Sequence, residues 1–153
     1  MTAKGRRAPI VQERILHAPP DEVFAAWGDA EGMRAWMCPG TDVTHATVEV
    51  DFRVGGRFRI VMHGARDAGH RGEYLVIDPP RRLVFTWISE WVPADESVTR
   101  VTLTIEPVGR DASRLTLVHD ELPATTTYEG HVQGWAAILA KLASHLEARK
   151  EPR

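Results

Sequence analysis

The chain contains a single cysteine, Cys38, among 153 residues. An intramolecular disulfide is therefore excluded, and a reducing compartment, the cytoplasm, is the expected location. Long apolar runs are missing too, so no membrane-spanning helix is expected. Nor is there an excess of charge of one sign. Lys and Arg number 19 against 21 Asp and Glu, a formal net charge of −2. Such a chain has no global field to attract a phosphate backbone, and nucleic acid is not an expected partner. The basic cluster Lys4, Arg6 and Arg7 stands in a leader, residues 1–7, expected to be flexible. No apolar stretch follows it, so it does not read as a secretory signal.

Reactive spacings are equally scarce. There is no Gly-x-Ser-x-Gly, and Cys38 lies beside Pro39 without a partner base, so nucleophilic catalysis has no support. Seven histidines are present, yet neither His-x-His nor His-Glu-x-x-His occurs, and one cysteine cannot form Cys-x-x-Cys. His63 and His70 flank one expected hairpin loop and could meet across it, but a third ligand is lacking. No metal and no cofactor is expected, and no catalytic residue is assigned.

What the sequence does contain is periodicity. Ile10–Leu16 reads as a first strand, ended by Pro19-Pro20, and Pro20 suits the first turn of a helix because its missing N–H is an orphan there anyway. Asp21 and Glu22 complement that helix's dipole, and Val23, Phe24 and Trp27 form its apolar face. Asp29 is placed to cap a second short helix carrying Met33 and Trp36, which stops at Cys38-Pro39-Gly40. From Thr44 the period becomes two. Ala46, Val48, Val50, Phe52 and Val54 alternate with polar residues, and after Gly55-Gly56 so do Phe58, Ile60 and Met62, the pattern of a hairpin. Gly64–Gly69 is expected as a loop and Glu73–Ile77 as a strand. Three further strands are expected over Arg82–Trp91, Ser97–Pro107 and Ser113–Glu121. Their inward stripes are Leu83, Phe85 and Trp87; Val101, Leu103 and Ile105; and Leu115, Leu117 and His119. Thr126 and Glu129 have capping-box spacing before one long helix, Tyr128–Lys150, whose Val132, Trp135, Leu139, Leu142 and Leu146 share a face. The expected architecture is α+β: one strand, two short helices, a meander of about six strands and a terminal helix, a single domain over residues 8–150.

Several landmarks recur in this order: Arg14-Ile15, Ala18-Pro19, Val23-Phe24 with Trp27, and Trp36 with Pro39. In the sheet they are Asp51-x-Arg53-x-Gly55-Gly56-x-Phe58, Gly72-x-Tyr74, Ile77-x-Pro79-Pro80, Leu83 and Trp87. The last are Leu115-x-Leu117-x-His119 and His131-x-x-Gly134-Trp135-x-x-x-Leu139. With them the chain resembles the activator of heat-shock-protein-ninety ATPase homologue family, within the START-like superfamily. The resemblance implies the helix-grip fold, in which a curved antiparallel sheet of six to seven strands wraps a long C-terminal helix. It also implies a deep, mostly apolar cavity between the two. The co-chaperone that names the family carries a large further domain, for which these residues leave no room. The superfamily includes lipid carriers, hormone receptors and polyketide cyclases, and fold alone does not choose among them.

The expected function is binding of a small, largely apolar molecule, lipid-like or polyketide-like, by a monomer or weak homodimer. Its wall is assigned to Trp36, Phe52, Phe58, Ile60, Trp87, Leu103, Leu117 and Trp135, with Trp36 near the mouth. Polar orientation falls to His119, His131, Glu73 or Tyr74. His119 and His131 are expected first to pin the helix start to the last strand, the sharper alternative being donation to a ligand carbonyl or proton transfer in the cavity. Glu73 shares parity with Leu75 and Ile77; inward it could serve as a general acid, but both faces of that strand are apolar, so parity alone does not decide its direction. Asp51 and Arg53 are expected as an outward pair or a cross-strand contact. Gly130 and Gly134 permit close packing of the helix, or leave cavity space. A cyclase- or hydratase-type enzyme and a co-chaperone-like interaction module are the alternatives.

Overall fold

A computed structural model describes residues 8–38, 43–92, 98–122 and 128–150. The leader, Pro39-Gly40 and Thr126, and with Thr126 the expected capping box, lie outside the described residues. Seven strands form one antiparallel, curled sheet in the order β1-β7-β6-β5-β4-β3-β2. The strands are β1 (Ile10–Leu16), β2 (Val43–Val50), β3 (Arg57–Gly64), β4 (Ala68–Asp78), β5 (Arg82–Ser89), β6 (Val98–Val108) and β7 (Ala112–Asp120). Two short helices, α1 (Pro20–Ala26) and α2 (Ala30–Trp36), connect β1 to β2, and α3 (Tyr128–Lys150) follows the sheet. This is the helix-grip arrangement.

Alternation decides which way each strand faces. Phe58, Ile60 and Met62 of β3, Val101, Leu103 and Ile105 of β6, and Leu115, Leu117 and His119 of β7 are all buried on the concave face. Removing a Leu- or Phe-sized side chain from water stabilises by about 1.5–3 kcal/mol, so these stripes supply much of the drive for closure. Pro20 occupies N1 of α1 as its chemistry favours. Asp29 stands at the N-cap of α2, yet its side chain makes no capping hydrogen bond, so only its position matches the expectation.

Three local departures matter for the site. First, β2 ends at Val50, so Phe52 and Val54 do not continue it. Residues 51–56 instead form a wider loop, in which the Gly55 amide donates to the Tyr74 carbonyl (2.9 Å) and the Tyr74 amide to that of Gly56 (3.0 Å). Gly55 has φ +84°, which an L side chain rarely adopts. Asp51 and Arg53 form an exposed pair there at 2.9 Å, directed outward. Second, β3 runs to Gly64 and β4 begins at Ala68, so the expected Gly64–Gly69 loop shrinks to residues 65–67. Gly72 lies in β4 between Phe58 of β3 and the β5 chain. A Cβ there would run into the Thr86 carbonyl oxygen and the Phe58 ring. Third, β4 carries a bulge. Tyr74 pairs with Phe85 but Val76 with Val84, which leaves Leu75 as the extra residue.

The long helix buries Trp135, Ile138, Leu139, Leu142 and Leu146, while Val132 is half-buried. Gln12 of β1 donates its side-chain amide to the Val132 carbonyl at 2.8 Å and ties the helix start to the sheet edge. The backbone of α3 lies close to β1 and α2. Over the middle strands the gap is bridged by large side chains, with the Trp87 and Trp135 rings 4.9 Å apart. Among the described residues no helix is long and apolar enough to cross a membrane.

Candidate ligand-binding site

The gap between α3 and the middle strands is not filled everywhere. A cleft of about 250 Å³ opens there, lined by Met62, His70 and Trp87 from the sheet and by His131, Gly134, Trp135 and Ile138 from the helix, with Val43, Ala68 and Trp91 at its margins. Gly134 explains part of the space, because a Cβ built on it would meet nothing within 4 Å. The glycine is thus a source of cavity room rather than of close packing. His70 is stacked on Trp87 at 4.5 Å and 24°, and Trp91, half exposed, meets His70 edge-on at 5.1 Å.

Beneath Trp87 the interior is solid, contrary to the deep cavity the resemblance implies. Trp27 and Trp36 meet edge-to-face at 4.8 Å, and Phe58 packs against Phe85 and Tyr74 at 5.3 Å each. What remains among Trp27, Phe58, Ile60, Tyr74, Phe85 and Trp87 is about 10 Å³, barely room for one water molecule. Aromatic side chains have consumed the volume, each contact adding about 0.5–1.5 kcal/mol beyond area burial. Burial, with the Asp51 charge adding, pushes the Tyr74 hydroxyl well above its usual range and keeps it neutral.

His119 is fully committed. The Trp135 indole Nε1–H, which can only donate, gives its hydrogen to His119 Nδ1 at 2.9 Å. Thr99 Oγ1 lies 2.6 Å from the Trp87 carbonyl, to which it must donate, and 2.7 Å from His119 Nε2. The proton on His119 therefore sits on Nε2, and the relay runs Trp135 to His119 to Thr99 to the backbone of β5. Burial first, then the charges of His131 and His70, push His119 down to about 3, so the ring is neutral. Of the roles open to it, this histidine pins the helix to the sheet. His131 packs edge-on to His119 at 5.1 Å and borders the cleft.

The remaining expected site residues are dispersed. Trp87, Trp135 and His131 line the cleft. Phe58, Ile60 and Tyr74 border the residual void beneath it and not the cleft. Trp36 is wholly buried against Trp27 rather than near a mouth, because α2 docks flat on the core. Leu103 and Leu117 are core residues with no exposure, and Phe52 is half-buried between Phe24 and Tyr74. Glu73 requires a correction. Tyr74 takes the inward position, so Glu73 faces the outer surface, and the Leu75 bulge breaks the parity that linked it to Ile77. There it borders a larger concavity of about 600 Å³ whose rim mixes Glu49, Asp51 and Glu73 with Arg57, Arg59 and Arg71. Opposed charges set in cross-strand register give that groove little net field.

His63 and His70 do not meet either. His70 pairs in register with Ile60 on the inner face, while His63 turns outward to stack on His45 at 4.6 Å and bond Thr47 at 2.7 Å. Among the described residues no three His, Cys, Asp or Glu side chains gather as a metal set. His70, Met62, Trp91 and Ile138 were missed as lining residues. Extending the parity of Tyr74 back through Gly72 would have placed His70 inward.

A family model described as "Activator of Hsp90 ATPase homolog 1-like protein" matches residues 17–147. Among solved structures, a Chromobacterium violaceum protein is similar at 26% identity and TM-score 0.76, with 89% of this chain and 94% of that one covered. CalU16 from Micromonospora echinospora is similar at 27% identity and TM-score 0.65, covering 93% and 82%. An HSP90 activator from Plasmodium falciparum shares the fold at 23% identity and TM-score 0.75, covering 92% and 97%. No curated protein matches.

Proposed function

The chain belongs to the Activator of Hsp90 ATPase homolog 1-like family, and on that premise we propose that it binds a small, largely apolar molecule in the cleft between its sheet and α3. The observation that carries this reading is the cleft itself. Three tryptophans and two histidines surround about 250 Å³ of space, and the helix presents a glycine where any side chain would occupy it. Ligand sites are typically apolar concavities of roughly 300–1,000 Å³ with few polar groups, and this one falls just below that span.

Turnover is the weaker reading. It needs at least two polar side chains converging on the ligand. His119 is spent on Trp135 and Thr99, and Glu73 lies on the opposite face of the sheet, which leaves His131 and the buried, neutral His70 at the cleft. Activation of HSP90 is what the Plasmodium falciparum relative is described as doing. In this chain the apolar concavity faces inward and has the dimensions of a small molecule rather than of a protein partner.

Native mass spectrometry of the freshly purified chain, beside a Gly134→Leu variant, tests the proposal. A co-purifying mass on the wild type that is missing from the variant is expected. Absence of such a mass, together with unchanged tryptophan fluorescence across fatty acids, sterols and aromatic polyketide-like compounds, would refute it.

A further inference from the structure

Away from the cleft, the outer face of the sheet carries a chain of three polar side chains. Thr47 of β2 and His63 of β3 alternate with the buried Ala46, Val48 and Met62 and so point outward, and Asp67 stands in the turn after β3. His63 Nδ1 lies 3.1 Å from Asp67 Oδ1, and His63 Nε2 lies 2.7 Å from Thr47 Oγ1. The partners decide where the hydrogens are. An ionised carboxylate only accepts, so Nδ1 carries the ring hydrogen and Nε2 keeps its lone pair. The Thr47 hydroxyl is then the donor to Nε2. A hydroxyl bonded to a base that a third group orients is the arrangement of an activated nucleophile, with contacts of about 2.6–3.2 Å.

The chain opens onto space. Thr47, His63 and Asp67 line one concavity of about 530 Å³ together with Arg59, Val61 and Trp91. Thr47 is exposed while the His63 side chain is only 26% so, which leaves the hydroxyl reachable and the base held. His45 stacks on the His63 ring at 4.6 Å and 21° and limits its rotation. Val61 and Trp91 offer apolar surface against which an acyl group can rest. Arg59 is the one cation among the described residues that line the hollow, and Glu90 grips it through hydrogen bonds of 2.9 and 2.7 Å. Positive charge fixed in place favours an oxyanion that develops beside it, and the Glu90 carboxylate offsets part of that help.

We propose that this hollow is a catalytic site separate from the cleft, in which Thr47 takes the acyl group of a small activated ester or thioester and water then removes it. Thr47 Oγ bonds to the acyl carbon as its proton passes to His63 Nε2. The C–O or C–S bond of the substrate breaks, and the leaving alcohol or thiol takes that proton. Water repeats the sequence: its proton goes to Nε2, its oxygen to the acyl carbon, and the Thr47 oxygen leaves with the proton. The net change is ester plus water to acid plus alcohol, with no further reactant. Asp67 is a positioning residue, because it acts through the tautomer of His63. None of the three residues lines the cleft, so this proposal and the cleft reading stand or fall separately.

The full chain mixed with 4-nitrophenyl acetate tests it. Nitrophenolate release should run about a hundredfold faster with the wild type than with Thr47→Val or His63→Ala, the low end of what a positioned general base contributes. Peptide mapping of the quenched reaction should find the acetyl group on Thr47, and Thr47→Ser should retain the activity. In Asp67→Asn the amide can turn an N–H toward Nδ1 and force the ring hydrogen onto Nε2, so this variant should lose about as much as His63→Ala. Asp67→Glu should recover most of that loss. Acetyl confined to lysine and histidine side chains, or equal release by wild type and Thr47→Val, overturns the proposal. Full activity in Asp67→Asn overturns the part given to Asp67. Variants that lower Tm yet leave acetyl transfer unchanged overturn the whole, for that is the mark of a trio that only ties β2 to β3.

Discussion

Replacing Gly134 with alanine should stabilise the protein, which is unusual for a substitution in the packed half of a helix. Gly134 lies within α3, where glycine is about 0.8–1.0 kcal/mol less favourable than alanine because its backbone loses more freedom on folding. The added methyl would meet no atom within 4 Å, so no steric penalty offsets this gain. The expected net effect is a stabilisation of about 1 kcal/mol, or roughly 2–4 °C in Tm for a chain of this length. Gly134→Leu should keep that gain and project its side chain into the cleft, abolishing ligand uptake without loss of fold. Urea denaturation read by circular dichroism, with the slope m checked for constancy, gives the free energies. Scanning calorimetry gives Tm. A Gly134→Ala variant less stable than wild type by 0.5 kcal/mol or more (about half the expected gain) would refute the reasoning, because a clash would mean that helix and sheet are closed together at this point.

The other predictions concern the buried histidines. Thr99→Val should cost about 1–3 kcal/mol in urea denaturation, since it strands both His119 Nε2–H and the Trp87 carbonyl, and Thr99→Ser should restore most of the loss. Equal stability of all three proteins would mean that the relay is not formed. Acid should destabilise the fold earlier than its surface carboxylates would suggest. His70 and His119 titrate near 6.5 when unfolded but are pushed down to about 3 by burial, aided by His131 and, for His70, opposed by Glu90. The unfolded chain therefore binds more protons across that window. Stability is fully present above about pH 6.5 and falls as pH drops toward 3, by at most about 1.4 kcal/mol per pH unit for each ring. A flat profile of unfolding free energy between about pH 7 and 4.5 would contradict this.

Most of the scaffold was readable from alternation and spacing. β1 and α3 have the expected ends, and the stripes of β3, β5, β6 and β7 face inward as their period of two requires. The errors have local causes. Phe52 and Val54 prolong the alternation of β2, but the backbone leaves the ladder at Asp51 to bond with Tyr74, a choice made by tertiary hydrogen bonds. Ala68 and Gly69 read as the end of a loop because alanine and glycine have poor strand propensity, yet pairing with β3 holds them in the sheet. His70, expected only to flank that loop, is therefore a strand residue. Trp36 and Trp87 were indistinguishable as aromatic residues on apolar faces. What separates them is that α2 seats the first in the core, whereas Gly134 leaves the second a free side. The cleft draws on β2, β3, β4, the end of β5 and α3, which no local period connects.

Leu75 has a consequence for how mutations along β4 will behave. Up to that residue the intolerant positions are even-numbered, His70, Gly72 and Tyr74, and beyond it the protected one is odd, Ile77. A saturation scan scored by abundance should therefore show sensitivity hopping from one parity to the other within a single ribbon. Excising Leu75 would close the bulge and leave Val76 opposite Val84 and Ile77 opposite Leu83, so the shorter chain should accumulate better than one from which Gly72 is excised, where Glu73 would be turned inward.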